Sequence, residues 1–257
     1  MERLKCTISY DGSGFAGFQV QPRQRTVQGM LEKALAKIHK GEAIRIQASG
    51  RTDTGVHAVG QVIHFDTPLT IPEHNWKQAI NTLLPDDVHI SHVEQVSDSF
   101  HARYSVKQKE YHYMVLNRDE PDVFRQNYAL YFPKSLNIEA IQAACEYLEG
   151  THDFTTFSSA KSTVKGSKVR TLYHASCRKK GNDIEFIFRG SGFLYNMVRI
   201  MVSALLDVGV GKRNPEDIPV LLAAKERGKL GKTISPNGLY LWEVSYHEQA
   251  DVKHFKD

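Results

Sequence analysis

An acid, a guanidinium and an imidazole stand close together in the segment from Ala48 to Ala58, which reads Ala-Ser-Gly-Arg-Thr-Asp-Thr-Gly-Val-His-Ala. Gly50 and Gly55 lie on either side of Asp53, and glycine permits backbone angles closed to other residues and a close approach of a ligand. Asp53 can therefore be held rigidly while it stays accessible, as a catalytic carboxylate must. The alternative is a solvated turn in which the aspartate caps its own backbone. The set of side chains favours an active-site loop.

Hydrophobic periodicity predicts that one strand precedes this loop and another follows it. The first half begins with an alternating strand from Leu4 to Tyr10, and Thr26 can cap a helix that runs from Val27 to Ile38. The remaining predicted elements of this half are a strand at 44–48, a strand at 61–65, a helix opened by Pro72 and a strand at 88–96. Their order is β-α-β-β-α-β, with the loop directly after the second strand.

The same order of elements returns in the second half. An alternating strand from Ser105 to Leu116 places Tyr111 on one face, and a strongly apolar helix over 193–208 carries Arg199. The other predicted elements are a helix from Ile138 to Gly150, a hairpin of strands at 169–179 and 184–189, a short helix opened by Asn214-Pro215 and a last strand at 239–246.

Two β-α-β-β-α-β units of the RRM or ferredoxin-like kind predict an α+β protein. Their sheets can join into one mainly antiparallel central sheet with helices on one face and a cleft between the halves. We expect an N-terminal half over residues 1–104 that carries the Asp53 loop. The C-terminal half over residues 105–257 would carry the Tyr111 strand, the Arg199 helix and a basic flap. An open sheet face suits RNA, although the sequence contains no RNP1 motif.

The composition indicates a globular chain. Of the 257 residues 41% are hydrophobic and 24% are charged, and the three cysteines are far apart with no C-x-x-C pair. This spacing argues against a zinc ribbon or a disulfide framework and fits the reducing cytoplasm. The N-terminal residues enter the first strand without an export signal, and the apolar stretch at 193–208 is short and contains Arg199 and Asp207. We therefore expect a cytoplasmic protein with no membrane contact.

Three loops concentrate positive charge, although the net charge is only +4. One basic loop alone is usually a solvated surface, but three of them beside an active-site loop favour a phosphate backbone as the partner. The candidate mobile flap from Ser158 to Lys168 carries part of one cluster. The clusters are Arg23 and Arg25; Lys161, Lys165, Lys168 and Arg170; and Lys225, Arg227, Lys229 and Lys232. Nucleic acid is therefore the leading ligand class.

Residues 50–58 resemble the G-R-T-D-x-G-V-H-A signature of the TruA-type tRNA pseudouridine synthases, the tRNA pseudouridine synthase A family. The resemblance extends from Leu4 to Tyr246, and Thr54 departs from the alanine that many members have. Further family-like segments are Tyr10-Asp11-Gly12, Thr26-Val27-Gln28, Phe100-His101-Ala102-Arg103, Lys109-Glu110-Tyr111-His112-Tyr113, Gly192 to Arg199 and Pro236-Asn237-Gly238-Leu239. The resemblance implies a homodimer that isomerises uridine to pseudouridine in the anticodon stem-loop of tRNA, without a metal or an organic cofactor.

The resemblance also implies roles for individual residues. Asp53 corresponds to the nucleophile of the family, Tyr111 to the tyrosine that packs against the target base, and Arg199 to the arginine that pairs with the aspartate. Arg51 corresponds to the arginine associated with the space left by the flipped nucleotide. His57 could contact a phosphate or merely hold a loop carbonyl. The predicted substrate-binding residues are Tyr111, Arg51, His57, Arg23 and Lys165.

The residue types support parts of this chemistry directly. Arg199 is flanked by apolar residues, and an unpaired buried charge is costly. We therefore expect a buried anion to pair with Arg199, unless the side chain reaches solvent. A guanidinium near Asp53 would favour the charged carboxylate that desolvation disfavours. One carboxylate can suffice because water is not a reactant in the isomerisation. Direct attack at C1′ and a glycal route both need an ionised carboxylate. Tyr111 can stack on the base or take the C5 proton.

Two other function classes are compatible with parts of the sequence. Asp53-Thr54-Gly55 also spells the aspartic-protease triplet, but such proteases need two carboxylates that share a proton, and the triplet usually ends an apolar strand. A catalytically silent RNA-binding or tRNA chaperone protein would need only the basic loops and the same fold.

Overall fold

The computed structural model describes residues 1–159 and 166–247 of the chain. These residues form five α-helices and a ten-stranded sheet. The strands are β1 (Glu2–Tyr10), β2 (Gln47–Ala48), β3 (His57–Thr67), β4 (Val88–Val96), β5 (Gln108–Leu116), β6 (Leu130–Tyr131), β7 (Gly150–Asp153), β8 (Val169–Lys180), β9 (Asp183–Gly190) and β10 (Leu239–Ser245). The helices are α1 (Val27–Ile38), α2 (Glu73–Asn81), α3 (Ile138–Glu146), α4 (Met197–Gly209) and α5 (Asp217–Ala224).

The strands form one continuous sheet in the order β4-β1-β3-β10-β5-β9-β8-β7, with β2 beside β3 and β6 beside β5. Its ladders are antiparallel except for the short β3–β10 and β5–β6 pairs. The β3–β10 pair joins the two halves, because Tyr240 lies opposite His57 and Leu241 lies opposite Ala58. The prediction of an α+β protein with a large, mainly antiparallel sheet is confirmed.

Each half buries its own helices against its own strands. In the first half Trp76 of α2 is fully enclosed and meets Phe65 of β3 edge to face, with 5.6 Å between ring centroids. In the second half Met201 of α4 and Phe186 of β9 belong to a separate apolar cluster. Full burial of one such side chain stabilises the fold by roughly 2–3 kcal/mol. Tyr111 packs against both clusters, which places it where the halves meet.

Local conformation explains where two helices begin. The Thr26 hydroxyl accepts a hydrogen bond from Gly29 N at 3.3 Å, so α1 begins at the predicted position. Helix α4 begins at Met197, because Asn196 adopts the left-handed conformation at φ 61° and interrupts the helical path. The predicted start of this helix at residue 193 is therefore wrong, and residues 193–196 form an irregular turn before it.

Two predicted strands have different lengths in the structure. Of the predicted strand at 44–48 only Gln47 and Ala48 pair with β3, because Ile46 N donates to the Glu32 carboxylate at 3.3 Å. Strand β3 is longer than predicted and begins at His57, inside the signature segment. The strands β6 and β7 contain only two and four residues, which are too few to show an alternation in the sequence.

The apolar helix α4 is a core element. Most of its side chains, among them Met201 and Leu205, are buried in the second cluster. None of the helices in the described part of the chain has the length and the apolar character needed to cross a membrane.

Candidate active site

The signature loop, residues 49–56, connects β2 to β3 and is fixed at several points. Thr52 is buried, and its hydroxyl lies 2.7 Å from the phenol of the tyrosine that ends β1. Val56 N donates to Asp53 O at 3.1 Å, which closes a turn around Gly55 at φ +78°. Glycine takes this conformation without strain, so Gly55 shapes the turn that presents Asp53.

Asp53 faces Arg199 across the junction of the two halves. Arg199 Nη1 lies 3.8 Å from Asp53 Oδ2, and the two side chains are 15% and 34% exposed, respectively. Ile234 O accepts hydrogen bonds from Arg199 Nε at 2.8 Å and from Nη2 at 2.6 Å. Asn196 Oδ1 accepts another from Nη1 at 2.9 Å. The guanidinium is therefore positioned mainly by backbone and amide oxygens, and the carboxylate is only loosely paired with it.

Burial dominates the electrostatics of this pair. Burial raises the pKa of Asp53 above its ordinary value, and the nearby Arg199 only partly counteracts this effect. Burial likewise lowers the pKa of Arg199, against the opposing influence of Asp53. Arg199 favours the charged form of Asp53, as the sequence indicates. Its effect on the pKa of Asp53 is smaller than the effect of burial. A poorly solvated carboxylate of this kind is a stronger base and nucleophile than one in water.

Tyr111 belongs to the same site. Its ring meets that of Phe193 edge to face, with 4.9 Å between the ring centroids. Burial raises the pKa of the phenol, and the nearby Tyr10 and Asp53 raise it further. The phenol is therefore neutral and a poor base, whereas its flat ring is suited to packing against a nucleobase.

Asp53, Tyr111 and Arg199 line one cavity of about 830 Å³ to which both halves contribute. This volume is within the range of pockets that enclose small ligands. Asp53 is the only acidic side chain among the described residues that line the cavity. The cationic lining residues are Arg51, Arg103, Lys109, Arg170 and Arg199. This charge balance favours a ligand that carries phosphate groups.

The predicted substrate-binding residues lie in different environments. Arg51 is exposed and lines the cavity together with Asp53. Arg23 is exposed in a loop at φ 59° and is not among the residues that line the cavity. Lys165 lies outside the described residues, as does most of the predicted mobile flap between Ser158 and Lys168.

Ion pairs partly neutralise two of the predicted basic clusters. Arg25 pairs with Asp87 at 2.7 Å, and Lys225 pairs with Asp153 at 3.3 Å. A phosphate ligand would have to compete with these carboxylates, so sequence clustering overstates the charge available for RNA at both places.

His57 is buried outside the cavity lining. Its Nδ1 accepts a hydrogen bond from Gly12 N at 3.1 Å, and its Nε2 lies 2.8 Å from Asn127 O, which can only accept. The ring stacks on Tyr240 with 4.7 Å between centroids. Both ring nitrogens therefore have protein partners in this structure. This arrangement favours the alternative role, in which the imidazole holds a loop carbonyl, and the substrate contact of His57 stays a prediction.

Sequence reasoning missed the contributions of Lys109 and Arg103 to the cavity. Lys109 Nζ donates to Ser49 O at 2.7 Å, at the start of the signature loop. Burial lowers the pKa of Lys109 to about 8, and the nearby Arg103 lowers it as well. One signal was available, because Lys109 precedes Tyr111 by two positions in a strand and must share its face.

Comparison with known proteins shows which family the chain is similar to. The family model described as "tRNA pseudouridine synthase" matches residues 7–105 and 144–247. The tRNA pseudouridine synthase A of Oceanobacillus iheyensis is 72% identical over 251 residues, which cover 98% of this chain and 99% of that protein. The protein of the same description from Geobacillus kaustophilus is 52% identical over 256 residues, which cover 100% of this chain and 99% of that protein. A tRNA pseudouridine synthase A 1 of Bacillus cereus is 55% identical over 247 residues, with 96% of this chain covered and 100% of that protein.

Proposed function

The chain belongs to the tRNA pseudouridine synthase A family and isomerises uridine to pseudouridine in tRNA, and on this premise we propose that Asp53 is its nucleophile. The reaction breaks the bond between N1 and C1′, turns the uracil, joins C5 to C1′ and releases the C5 proton. One observation carries the proposal: Asp53 is the sole acid among the described residues that line the cavity. A second carboxylate, which an aspartic protease would require, is absent from that lining.

The loose ion pair suits the first step. Direct attack on C1′ and removal of a ribose proton both begin with an ionised Asp53. When the base enters and excludes water, the charged carboxylate is further disfavoured, and Arg199 at 3.8 Å then limits the loss of charge. Arg199 remains in place during this change because Ile234 O and Asn196 Oδ1 hold it independently of the carboxylate.

Two further residues are assigned to the flipped nucleotide. The target uridine must leave its stack, which costs a few kcal/mol and less in a loop than in a stem. Tyr111 packs against the uracil, and its ring against Phe193 defines that surface. Arg51 occupies the space that the nucleotide leaves, because it belongs to the signature loop, is exposed and lines the cavity.

The broader arrangement of the substrate is also part of the proposal. Resemblance to the family supports the anticodon stem-loop as the target, a homodimer as the active assembly and the cytoplasm as the location. Arg23 and Lys165 would contact the RNA backbone beyond the cavity. The sheet order β4-β1-β3 in one half and β10-β5-β9-β8 in the other supports two ferredoxin-like units, at residues 1–104 and 105–257.

Release of tritium from tRNA labelled at C5 of uridine tests the proposed nucleophile. Wild-type protein should release tritium without an added cofactor, whereas Asp53→Asn should release none above background. Filter binding of the same tRNA should show that Asp53→Asn still binds it. Substantial tritium release by folded Asp53→Asn would refute the assignment.

A further inference from the structure

The cavity contains a half-buried positive charge that has no acidic partner among the described residues. Lys109 Nζ has one hydrogen-bond acceptor, Ser49 O at 2.7 Å, among the described residues. None of the ion pairs in the described ranges includes this ammonium. An ammonium group has three donors, so two of them have no described protein acceptor.

The surroundings of Lys109 make its charge costly. Burial lowers its pKa to about 8, and Arg103 adds a second positive charge on the same wall of the cavity. A charge that is partly removed from water is stabilised by an anionic partner, and a bound ligand can supply that partner here. A merely structural tie to Ser49 O would not need a full positive charge, because a neutral donor can satisfy a carbonyl.

The approach to this ammonium is kept open by a glycine. A Cβ atom on Gly50 would lie 2.7 Å from Lys109 Nζ, so any other residue there would displace the ammonium or cover it. Gly50 also belongs to the signature loop, which brings the ammonium to the edge of the segment that presents Asp53.

We propose that Lys109 and Arg103 form a phosphate-binding subsite for the tRNA backbone next to the target uridine. Phosphodiesters are the anionic groups of RNA, and they cannot sit against Asp53, so they belong on the cationic wall. The remaining donors of the ammonium and the guanidinium would both point to phosphate oxygens, as charge-assisted hydrogen bonds. The inference rests on the proposed function only in taking this cavity as the site of the target uridine.

Lys109→Gln tests the subsite because glutamine can still donate to Ser49 O but has no charge. In single-turnover assays, the tRNA concentration for half-maximal rate should rise about tenfold, while the maximal rate changes less than threefold. The slope of log affinity against log salt should become shallower by about one, the loss of one phosphate contact. Lys109→Arg, which keeps the charge, should recover most of the affinity.

Lys5→Met is the matched control, because Lys5 also lies on a strand but pairs with Glu94 at 2.8 Å outside the cavity lining. It should leave the affinity and the salt slope unchanged. Gly50→Ala provides a second test that keeps the lysine, and it should weaken tRNA binding by displacing the ammonium. Thermal unfolding of each variant separates a binding defect from a failure to fold.

Three results would overturn the subsite. The first is a folded Lys109→Gln variant with an unchanged salt slope. The second is a Lys109→Gln variant with a lowered maximal rate and an unchanged tRNA concentration for half-maximal rate. The third is a folded Gly50→Ala variant that binds tRNA as the wild type does. The second of these would make Lys109 a residue that only positions the loop. The proposed function fails separately, through an active Asp53→Asn variant. An inactive Asp53→Asn variant together with any of the three results would refute the subsite alone.

Discussion

Strand β5 carries charged side chains on both of its faces, and the two faces satisfy charge differently. On the cavity face Lys109 has a carbonyl as its described partner, and the nearby Asp53–Arg199 pair is separated by 3.8 Å. On the opposite face His112 lies between two carboxylates, with Nε2 2.5 Å from Glu110 and Nδ1 2.6 Å from Glu185.

The charged residues on that opposite face are paired with one another. We call them the back-face network: Glu110, His112, Arg178, Glu185 and Arg189. Arg189 also pairs with Glu110, and Arg178 pairs with Glu185 at 2.5 Å. The ring of Trp242 stacks on His112 with 4.1 Å between centroids. Burial alone would raise the pKa of Glu110, but its hydrogen bonds to His112 and Arg189 outweigh burial, and the pKa is lowered.

The comparison separates charges that support the fold from charges that serve a ligand. The buried members of the back-face network, Glu110 and His112, are both paired, and a satisfied polar network of this kind rigidifies the structure. The cavity face instead keeps its acid poorly solvated and its lysine short of acceptors, which costs stability and leaves both groups ready for substrate. Substitutions of the charged residues at the cavity and of those in the back-face network should therefore have opposite effects.

The largest expected difference comes from removing one carboxylate charge on each face. Asp53→Asn should lower pseudouridine formation by on the order of 10⁴-fold or more, since the reacting group is lost. Glu110→Gln should change the rate per folded molecule by less than about threefold, because it lies outside the cavity lining. Single-turnover assays on tRNA measure both rates, and a folded but inactive Glu110→Gln would contradict the comparison.

The next largest effect is expected for the arginines on the two faces. Arg199→Ala should lower the rate by about 10²- to 10³-fold, as is typical when a group that stabilises charge in an active site is removed. Arg189→Ala, which removes a cation from the back-face network, should leave most turnover intact.

The pH dependence of the reaction rate gives a second test of Arg199. Arg199 lowers the pKa of Asp53, so its removal should shift the acid limb of the rate profile to higher pH. If the rate of Arg199→Ala falls in acid at the same pH as the wild-type rate, Arg199 does not affect the pKa of Asp53. Full activity of Arg199→Ala would also contradict the interaction of these two side chains.

Stability should depend on pH with opposite sign for the two carboxylates. The lowered pKa of Glu110 means that its contribution is present above the unfolded pKa of about 4.3 and is lost as the pH falls through the folded value. Glu110→Gln should therefore destabilise the protein at pH 7 by about 1–3 kcal/mol, and the difference should shrink in acid.

Asp53 should behave in the reverse manner. Its raised pKa means that folding is favoured by the protonated form below the unfolded pKa of about 3.9, and that this advantage is lost as the pH rises through the folded value. Asp53→Asn should therefore be more stable than the wild type at pH 7, with the gain absent at low pH. Urea unfolding of both variants at pH 7 and in acid measures the signs, and equal signs would contradict the comparison.

The elements around the site could largely be predicted, because they depend on local patterns. Alternation and capping predicted β1 and α1, and apolar spacing predicted the helix of Arg199 although not its start. That start depends on Asn196, which adopts the left-handed conformation and contacts Arg199 three residues later. Hydrophobic periodicity thus places the elements, whereas the backbone conformation of single residues sets an end such as this one.

The environments of individual side chains could not be predicted in the same way. The sequence predicts His57 as a possible substrate contact, whereas the partner of its Nε2 atom, Asn127, is 70 residues away in the chain. Lys109 looks like an ordinary strand lysine until the fold encloses it beside Ser49, 60 residues earlier. Whether a polar side chain is satisfied depends on such distant partners, and that is the property in which the two faces of β5 differ.

The smallest expected effect concerns Tyr111 and sharpens the comparison within the cavity face itself. Because burial raises the pKa of its phenol, the hydroxyl is a poor base, and Tyr111→Phe should release the C5 hydrogen within about threefold of the wild-type rate.

The neighbouring Tyr113 donates to Ser235 O at 2.7 Å, next to the Ile234 carbonyl that holds Arg199. Tyr113→Phe leaves that acceptor without its donor and should cost about 1 kcal/mol of stability as well as some activity. Tritium release and urea unfolding measure both variants, and a loss of C5-hydrogen release confined to Tyr111→Phe would show that the phenol, and not the ring alone, takes part in the reaction.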